Sequence, residues 1–413
     1  MNSWPSVAIP TINFSGEFPV LALYDTARAR VEPLEKRDLY RIYVCGITPY
    51  DATHLGHAAT YLTFDLINRY LRASGATVRF VQNITDIDDP LLERAHRDGV
   101  SWQELAQSQI DLFRGDMVNL HVIPPDHYIG VVEAMPLVVQ AIEALRASGT
   151  TYMVENDLYF EIHADPDFGK RSHLSEEEML AIFAERGGDP ARAGKSDPLD
   201  ALLWLSHRPG EPKWESPIGA GRPGWHIECS AIALHYLQPD ETSPTSIDIQ
   251  GGGSDLIFPH HEMSAAQSKA MNGREFAQHY VHSGMIALDG VKMSKSLGNL
   301  VFVSELIKEG QSPDAIRWAL MSSHYSDDRN WSQALLDDAQ EWVSRLRIAL
   351  SMMEVAPTQA VISEVTFALS QNLDTPKALE SIKIWIKECE AGSRGGEAGE
   401  LSRALDALLG LTL

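Results

Sequence analysis

The sequence predicts an α/β protein with a Rossmann-like parallel-sheet catalytic domain, an inserted α/β connective segment and a C-terminal helical domain. Three observations carry this. Residues 39–82 read as strand, helix and strand within about 45 residues, a βαβ unit whose crossover is right-handed. Residues 187–223 are rich in Gly and Pro, the composition of an extended segment crossing a surface. After Asn299 almost every stretch reads helical.

In order, residues 39–45 form a short buried strand that Gly46, Thr48, Pro49 and Asp51 turn into a loop. Residues 58–72 lack Gly and Pro and place Leu62, Leu66, Ile67 and Tyr70 on one helical face. Gly75 ends that helix before a strand over 77–82. Helices are expected over 102–121 and 131–148, a strand over 158–162, and a helix over 179–184 behind the capping box of Ser175 and Glu178. Regular structure resumes at 224–237. A strand at 247–249 runs into Gly251, Gly252 and Gly253 before a helix over 262–271. The tail predicts helices over 303–309, 313–322, 332–353, 361–369, 376–389 and 397–409. The expected division is 1–100 with 223–300 as the catalytic halves, 101–222 as the insert and 301–413 as the helical domain.

Bulk properties narrow the function. Of 413 residues 44% are apolar and 22% charged, which fits a folded soluble protein. No apolar run approaches the roughly 18 residues of a membrane span, and the amino terminus lacks the pattern of a secretory signal, so a cytoplasmic protein is expected. The net charge is -23, and residues 301–413 carry 10 Lys and Arg against 17 Asp and Glu. Proteins that hold polyanions show a basic face, so no nucleic-acid partner is expected. The three cysteines, Cys45, Cys229 and Cys389, are too few and too scattered for a disulfide framework, and their spacing forms no zinc knuckle.

Two clusters bear chemistry. His54-Leu55-Gly56-His57 lies between the first strand and its helix, where free N–H groups and the helix dipole favour an anion. Lys292-Met293-Ser294-Lys295-Ser296 offers two cations and hydroxyls in a polar loop. Alone, the first reads as an ordinary helix start and the second as a solvated basic loop. Together, in this order in one chain, they point to a bound nucleotide.

The pair resembles the signature motifs of class I aminoacyl-tRNA synthetases, which bind ATP for carboxylate adenylation. Tyr43-Val44-Cys45-Gly46, Asn83-Ile84-Thr85-Asp86-Ile87-Asp88-Asp89, Gly224-Trp225-His226-Ile227-Glu228-Cys229-Ser230 and the run from Gly251 through Pro259-His260-His261-Glu262 resemble the cysteinyl-tRNA synthetases. The resemblance covers about residues 40–300. It implies that Cys45, Cys229 and His260 bind Zn2+, one ion per chain, which holds the substrate thiolate. Three N/S ligands and an open position suit zinc. It further implies that His54 and His57 hold phosphate and adenosine, and that Lys292 and Lys295, with Mg2+, stabilise the departing pyrophosphate. Cys45, Gly46, Ile47, Thr48, Thr60, Asn83, Ile84, Thr85, Trp225 and Ile286 are implied around cysteine and the adenylate, with Gly253, Ser254 and Asp255 towards the ribose.

Departures refine this reading. Where the synthetases have a further carboxylate ligand, this chain has Ser264, so three protein ligands are expected and Glu262 is not one of them. Pro49 is foreign to the synthetase loop, and the tail is short and acidic. Residues 185–190, Glu-Arg-Gly-Gly-Asp-Pro, resemble the cysteine ligases of mycothiol synthesis, a branch of this family without the tRNA-reading parts. The resemblance implies L-cysteine, ATP and glucosaminyl-inositol as substrates, Asp255 as candidate base for the attacking amine, and a monomer. The competing readings are a short cysteinyl-tRNA synthetase and a catalytically silent synthetase-like module.

Overall fold

The structure is a computed structural model that describes every residue except 15, 51–53, 240–242 and 294–296, and describes Lys292 through its backbone. A hairpin, β1 (Ala22–Asp25) and β2 (Arg30–Pro33), precedes β3 (Leu39–Val44), α1 (Leu55–Ala73) and β4 (Thr77–Ile84). Then come α2 (Asp89–Asp98), α3 (Trp102–Asn119), β5 (His127–Gly130) and α4 (Val131–Ala147). The insert continues with β6 (Thr151–Val154), β7 (Asp157–Phe160), α5 (Glu176–Glu185), β8 (Ala201–Ser206) and β9 (Gly221–Pro223). The chain returns through α6 (Trp225–Tyr236), β10 (Thr245–Gly253), α7 (Glu262–Asn272), β11 (Glu275–Ser283), β12 (Ile286–Leu288) and β13 (Val291–Lys292). It ends in α8 (Val303–Lys308), α9 (Pro313–Met321), β14 (Arg329–Trp331), α10 (Gln333–Leu350), α11 (Thr358–Ser370), α12 (Thr375–Glu390) and α13 (Ala398–Leu409).

The central sheet runs β11-β10-β3-β4-β5 with every neighbouring pair parallel. The β3–α1–β4 unit stands as the sequence predicts, with Leu39 opposite Thr77. The capping box is present too, Ser175 and Glu178 each satisfying the other's backbone N–H. The apolar run at 199–205 supplies β8 of a four-stranded antiparallel sheet, β6-β7-β8-β9.

Several elements are absent from the sequence reading. The nine-residue β11 carries polar residues whose partners lie on the hairpin: His282 Nδ1 is 2.7 Å from Thr26 Oγ1 and His279 is 3.5 Å from Asp25. Short β14 inside the helical tail exists because it pairs in parallel with β12; three residues carry no periodic signal.

Helix α1 is buried on all sides rather than along one stripe. The sheet covers one flank and α13 another. Polar residues on the second flank therefore need partners inside the protein. Asp65 accepts from Arg69 Nε at 2.8 Å, from Arg317 and from the Ile123 N–H at 2.8 Å. Arg69 donates to the Asp406 and His121 carbonyls at 2.6 Å each, and Arg317 to those of Leu120 and Leu409. One apolar core runs from α1 and the sheet into α9–α13, and a second fills the opposite face with α4, α6 and α7.

Candidate active site

The carboxyl ends of β3, β4 and β10 open into one cleft of about 820 Å3, where ligands of open parallel sheets bind. Cys45 follows β3, and its N–H donates to the Gly251 carbonyl at 3.0 Å. Gly46 lies against β4 so closely that a side-chain carbon would sit 1.6 Å from the Asn83 carbonyl oxygen, so only glycine fits. Asn83 Oδ1 accepts from the Gly46 N–H at 2.8 Å and from the Tyr43 hydroxyl at 3.0 Å, and its amide donates to Thr85 Oγ1 at 3.2 Å. Asn83 and Thr85 thus support the floor, while Cys45, Gly46, Ile47 and Thr48 line it.

At this floor Cys45, with Cys229 and His260, offers ligand atoms that all lie within 4.8 Å of one another, and all three residues are buried. The two sulfurs are 3.8 Å apart, and His260 Nε2 is 3.1 Å from the Cys229 sulfur. Two thiols and an imidazole form the donor set zinc prefers, and Cys45 opens to the cleft. Burial opposes ionisation of Cys229, but the hydrogen bond from Cys45 and the adjoining His260 ring outweigh it and hold its thiol well below the usual range. Burial, with Cys229 beside it, pushes the Cys45 thiol well above.

Two neighbours orient the donors, a role sequence reading did not assign. His226 Nδ1 lies 3.1 Å from His260 Nδ1, which fixes the ring that presents Nε2 to sulfur. His261 Nε2 lies 3.2 Å from the Cys45 sulfur, and its Nδ1 is 2.7 Å from His282 Nε2. His226 and His261 fall inside the 224–230 and 251–262 strings; His282 stands in no motif. Trp225 stacks on His260 with ring centroids 4.3 Å apart.

The expected ligand count also has a structural reason. Glu262 accepts from Arg171 Nη1 and the Ser172 N–H, both at 2.9 Å, turning its carboxylate towards the insert. Ser264 Oγ donates to the His226 carbonyl at 3.4 Å.

At the start of α1, His54 caps the helix: its Nδ1 accepts the Gly56 N–H at 3.0 Å. That bond places the ring proton on Nε2 as a donor. His57 lies 4.1 Å away ring to ring. Burial draws both imidazoles down, that of His54 against the pull of Asp255 and that of His57 further because His54 adjoins it. Both are therefore neutral donors near pH 7. His54, His57, Thr60, Trp225, Gly253 and Asp255 all line the cleft.

Not every expected residue does. Ser254 opens the short helical turn between β10 and α7 and is outside the lining. Ile84 is buried at the end of β4. Ile286 opens β12 and is buried in the core, and Gly284 and Met285 form the cleft wall at that end instead. Lys295 lies outside the described residues, and Lys292 is placed only by its backbone on β13.

The far wall comes from the insert. Arg186, just past α5, donates to the carbonyls of Asp255 and Phe258, and Gly187 follows with φ +86°. A side chain at position 188 would collide with the Phe183 ring at 2.5 Å. This glycine pair lets the chain reverse against α5 and brings Asp189 to the cleft. Opposite it, Asp88 caps α2 by accepting the Asp89 N–H at 2.8 Å, and burial pushes its carboxyl up to about 6.

Residues 30–341 match the family of the tRNA synthetases class I (C) catalytic domain. The chain belongs to this family. Within it, the chain is 54% identical over 420 residues to the "L-cysteine:1D-myo-inositol 2-amino-2-deoxy-alpha-D-glucopyranoside ligase" of Thermomonospora curvata, covering the whole of both. Proteins of the same name from Nocardia farcinica and Corynebacterium diphtheriae are 52% and 53% identical, again over the full length of both chains. As a class I synthetase fold it is similar to Mycobacterium tuberculosis methionyl-tRNA synthetase in complex with methionyl-adenylate, with TM-score 0.63 and 18% identity over 91% of this chain and 89% of that one. It is also similar to Agrobacterium radiobacter K84 agnB2 LeuRS, with TM-score 0.64 and 14% identity over 92% and 84%. Among the described residues no helix is long and apolar enough to cross a membrane.

Proposed function

We propose that this protein is an ATP-dependent, amide-forming ligase that adenylates L-cysteine and transfers the cysteinyl group to the amine of glucosaminyl-inositol. The observation that carries the reading is a buried Cys45, Cys229 and His260 set under the same cleft that His54 and His57 line. The full-length likeness to ligases named for this reaction supports it.

In the first step a cysteine carboxylate oxygen attacks the α-phosphorus of ATP, the bond to the bridging oxygen breaks, and pyrophosphate leaves. The work is positioning and charge stabilisation. His54 and His57 donate to phosphate from neutral rings. Lys292 and Lys295, with the Mg2+ that accompanies ATP, take the pyrophosphate charge. Gly46, Thr48 and Trp225 bound the cysteine pocket, and Gly253 lies towards the ribose. Cys45, Cys229 and His260 would hold Zn2+, which would select the substrate by taking its thiolate. In the second step the neutral glucosamine nitrogen attacks the carbonyl carbon, the bond to AMP breaks, and the ammonium proton passes to a carboxylate such as Asp255 or to water.

Residues 1–100 and 223–300 would supply the chemistry, 101–222 the far wall and 301–413 a helical buttress. Reduced cysteine and ATP as substrates suit the cytoplasm, and a monomer is the proposed state. The test is pyrophosphate–ATP exchange: it should require cysteine and fall at least about 100-fold with serine, because a site built on a metal–thiolate contact rejects an analogue lacking it. Equal exchange with serine, or none with cysteine, contradicts the reading.

A further inference from the structure

The two halves of the cleft differ in chemistry. The deep half holds the sulfur and imidazole groups. The outer half is walled by the insert and by α2, and carboxylates outnumber cations there: Asp88, Asp89, Glu93, Glu185 and Asp189 face it against Arg186, Arg192 and Arg222.

Two of these carboxylates are held in place by built networks. Asp189 accepts from the Tyr159 hydroxyl and from Lys195 Nζ at 3.0 Å, while Arg192 donates to that same hydroxyl at 2.8 Å. On the opposite wall Asp89 pairs with Arg222, whose Nε also donates to Glu211 at 3.0 Å. The Arg222 side chain is 7% exposed and that of Asp89 is 63% exposed. The glycine pair at 187–188 and the two carbonyl bonds of Arg186 keep the first wall fixed.

Fixed carboxylates on opposite walls match a ligand that presents many hydroxyl donors. A phosphodiester chain would meet like charge here. We propose that the outer half of the cleft is the acceptor subsite, in which Asp189 and the Asp89–Arg222 pair hold the hydroxyls of an aminosugar–cyclitol with its amine directed to the deep half. Tyr159, Arg192 and Lys195 are positioning residues for Asp189. This rests on the proposed function, and it assigns the acceptor to residues that the adenylation step does not use.

The experiment compares wild type with Asp189→Ala, Asp189→Asn and Asp89→Asn in two assays. Cysteine-dependent pyrophosphate–ATP exchange reads the deep half, and amide formation at varied glucosaminyl-inositol reads the outer half. The expected result is an acceptor KM raised about tenfold or more in each variant, with the exchange rate within about twofold of wild type. Unchanged acceptor KM in variants that retain exchange overturns the subsite while leaving the proposed function intact. Parallel loss of exchange in Asp89→Asn, whose side chain is largely exposed, also overturns it. Exchange without any amide formation by wild type overturns the acceptor assignment in the proposed function itself, and the subsite with it.

Discussion

His54 Nδ1 accepts the N–H of Gly56 at 3.0 Å, so one hydrogen bond both caps α1 and fixes which nitrogen of the imidazole faces a ligand as a donor. A methyl group at position 56 would lie 2.7 Å from Cε1 and 2.9 Å from Nδ1 of that ring. Gly56→Ala should therefore displace His54. The expected outcome is a fall of about 10²-fold in exchange rate, the scale of losing one aligned donor to a developing charge, with far-UV circular dichroism unchanged. Wild-type exchange in that variant contradicts the role given to His54.

Metal content tests the ligand set separately from catalysis. Cys229→Ser and His260→Ala should lose zinc, read by plasma mass spectrometry on the purified chain. Glu262→Gln should keep one zinc per chain, because Arg171 and Ser172 already occupy its carboxylate. Zinc loss in Glu262→Gln with the fold intact would make Glu262 a ligand and reverse the count.

The tail is tied to the catalytic sheet by a buried carboxylate between two guanidiniums. Burial opposes the charge on Asp65, but Arg69 and Arg317 outweigh it and hold its carboxyl below the usual range. Asp65→Ala leaves buried Arg317 without its carboxylate and Arg69 with Asp406 alone at 3.6 Å, and about 3–5 kcal/mol of stability should be lost in urea denaturation. A loss below about 1 kcal/mol would show that the network is not holding α1 to the tail.

Burial draws the His282 imidazole down to about 3, whereas in an unfolded chain it titrates near 6.5. The unfolded state binds the proton first. Stability from this group is thus fully present above about pH 6.5 and is lost as the pH falls through the window between the two values. Between pH 7.5 and 5.5 wild type should lose about 1.4 kcal/mol more than His282→Gln in urea titrations. Identical losses would mean that His282 takes up its proton in the folded protein.

Much of this site was legible because its residues sit in long strings. The Cys45, Cys229 and His260 set and the pair His54 and His57 could be read without coordinates. So could the β3–α1–β4 unit, whose helical and strand periods are clean. What stayed hidden depends on partners far along the chain. Asp65 and Arg69 lie on α1, and their meeting with Arg317 of α9 and the Asp406 carbonyl of α13 turns them into a buried network. β14 exists through its pairing with β12, and His282 gains its place from Thr26 and His261 across the hairpin. The string at 185–190 marked the ligase branch, but its place on the cleft wall follows from the Arg186 bonds and the contact of Gly188 with Phe183.

The most direct measurement is a single-turnover chase. The protein is loaded with ATP and radiolabelled cysteine, freed of excess nucleotide, and offered glucosaminyl-inositol or cysteine-accepting tRNA. The expected result is that label moves to an amide product of glucosaminyl-inositol with release of AMP, and that none moves to tRNA. Transfer to tRNA, with none to the aminosugar, would contradict it.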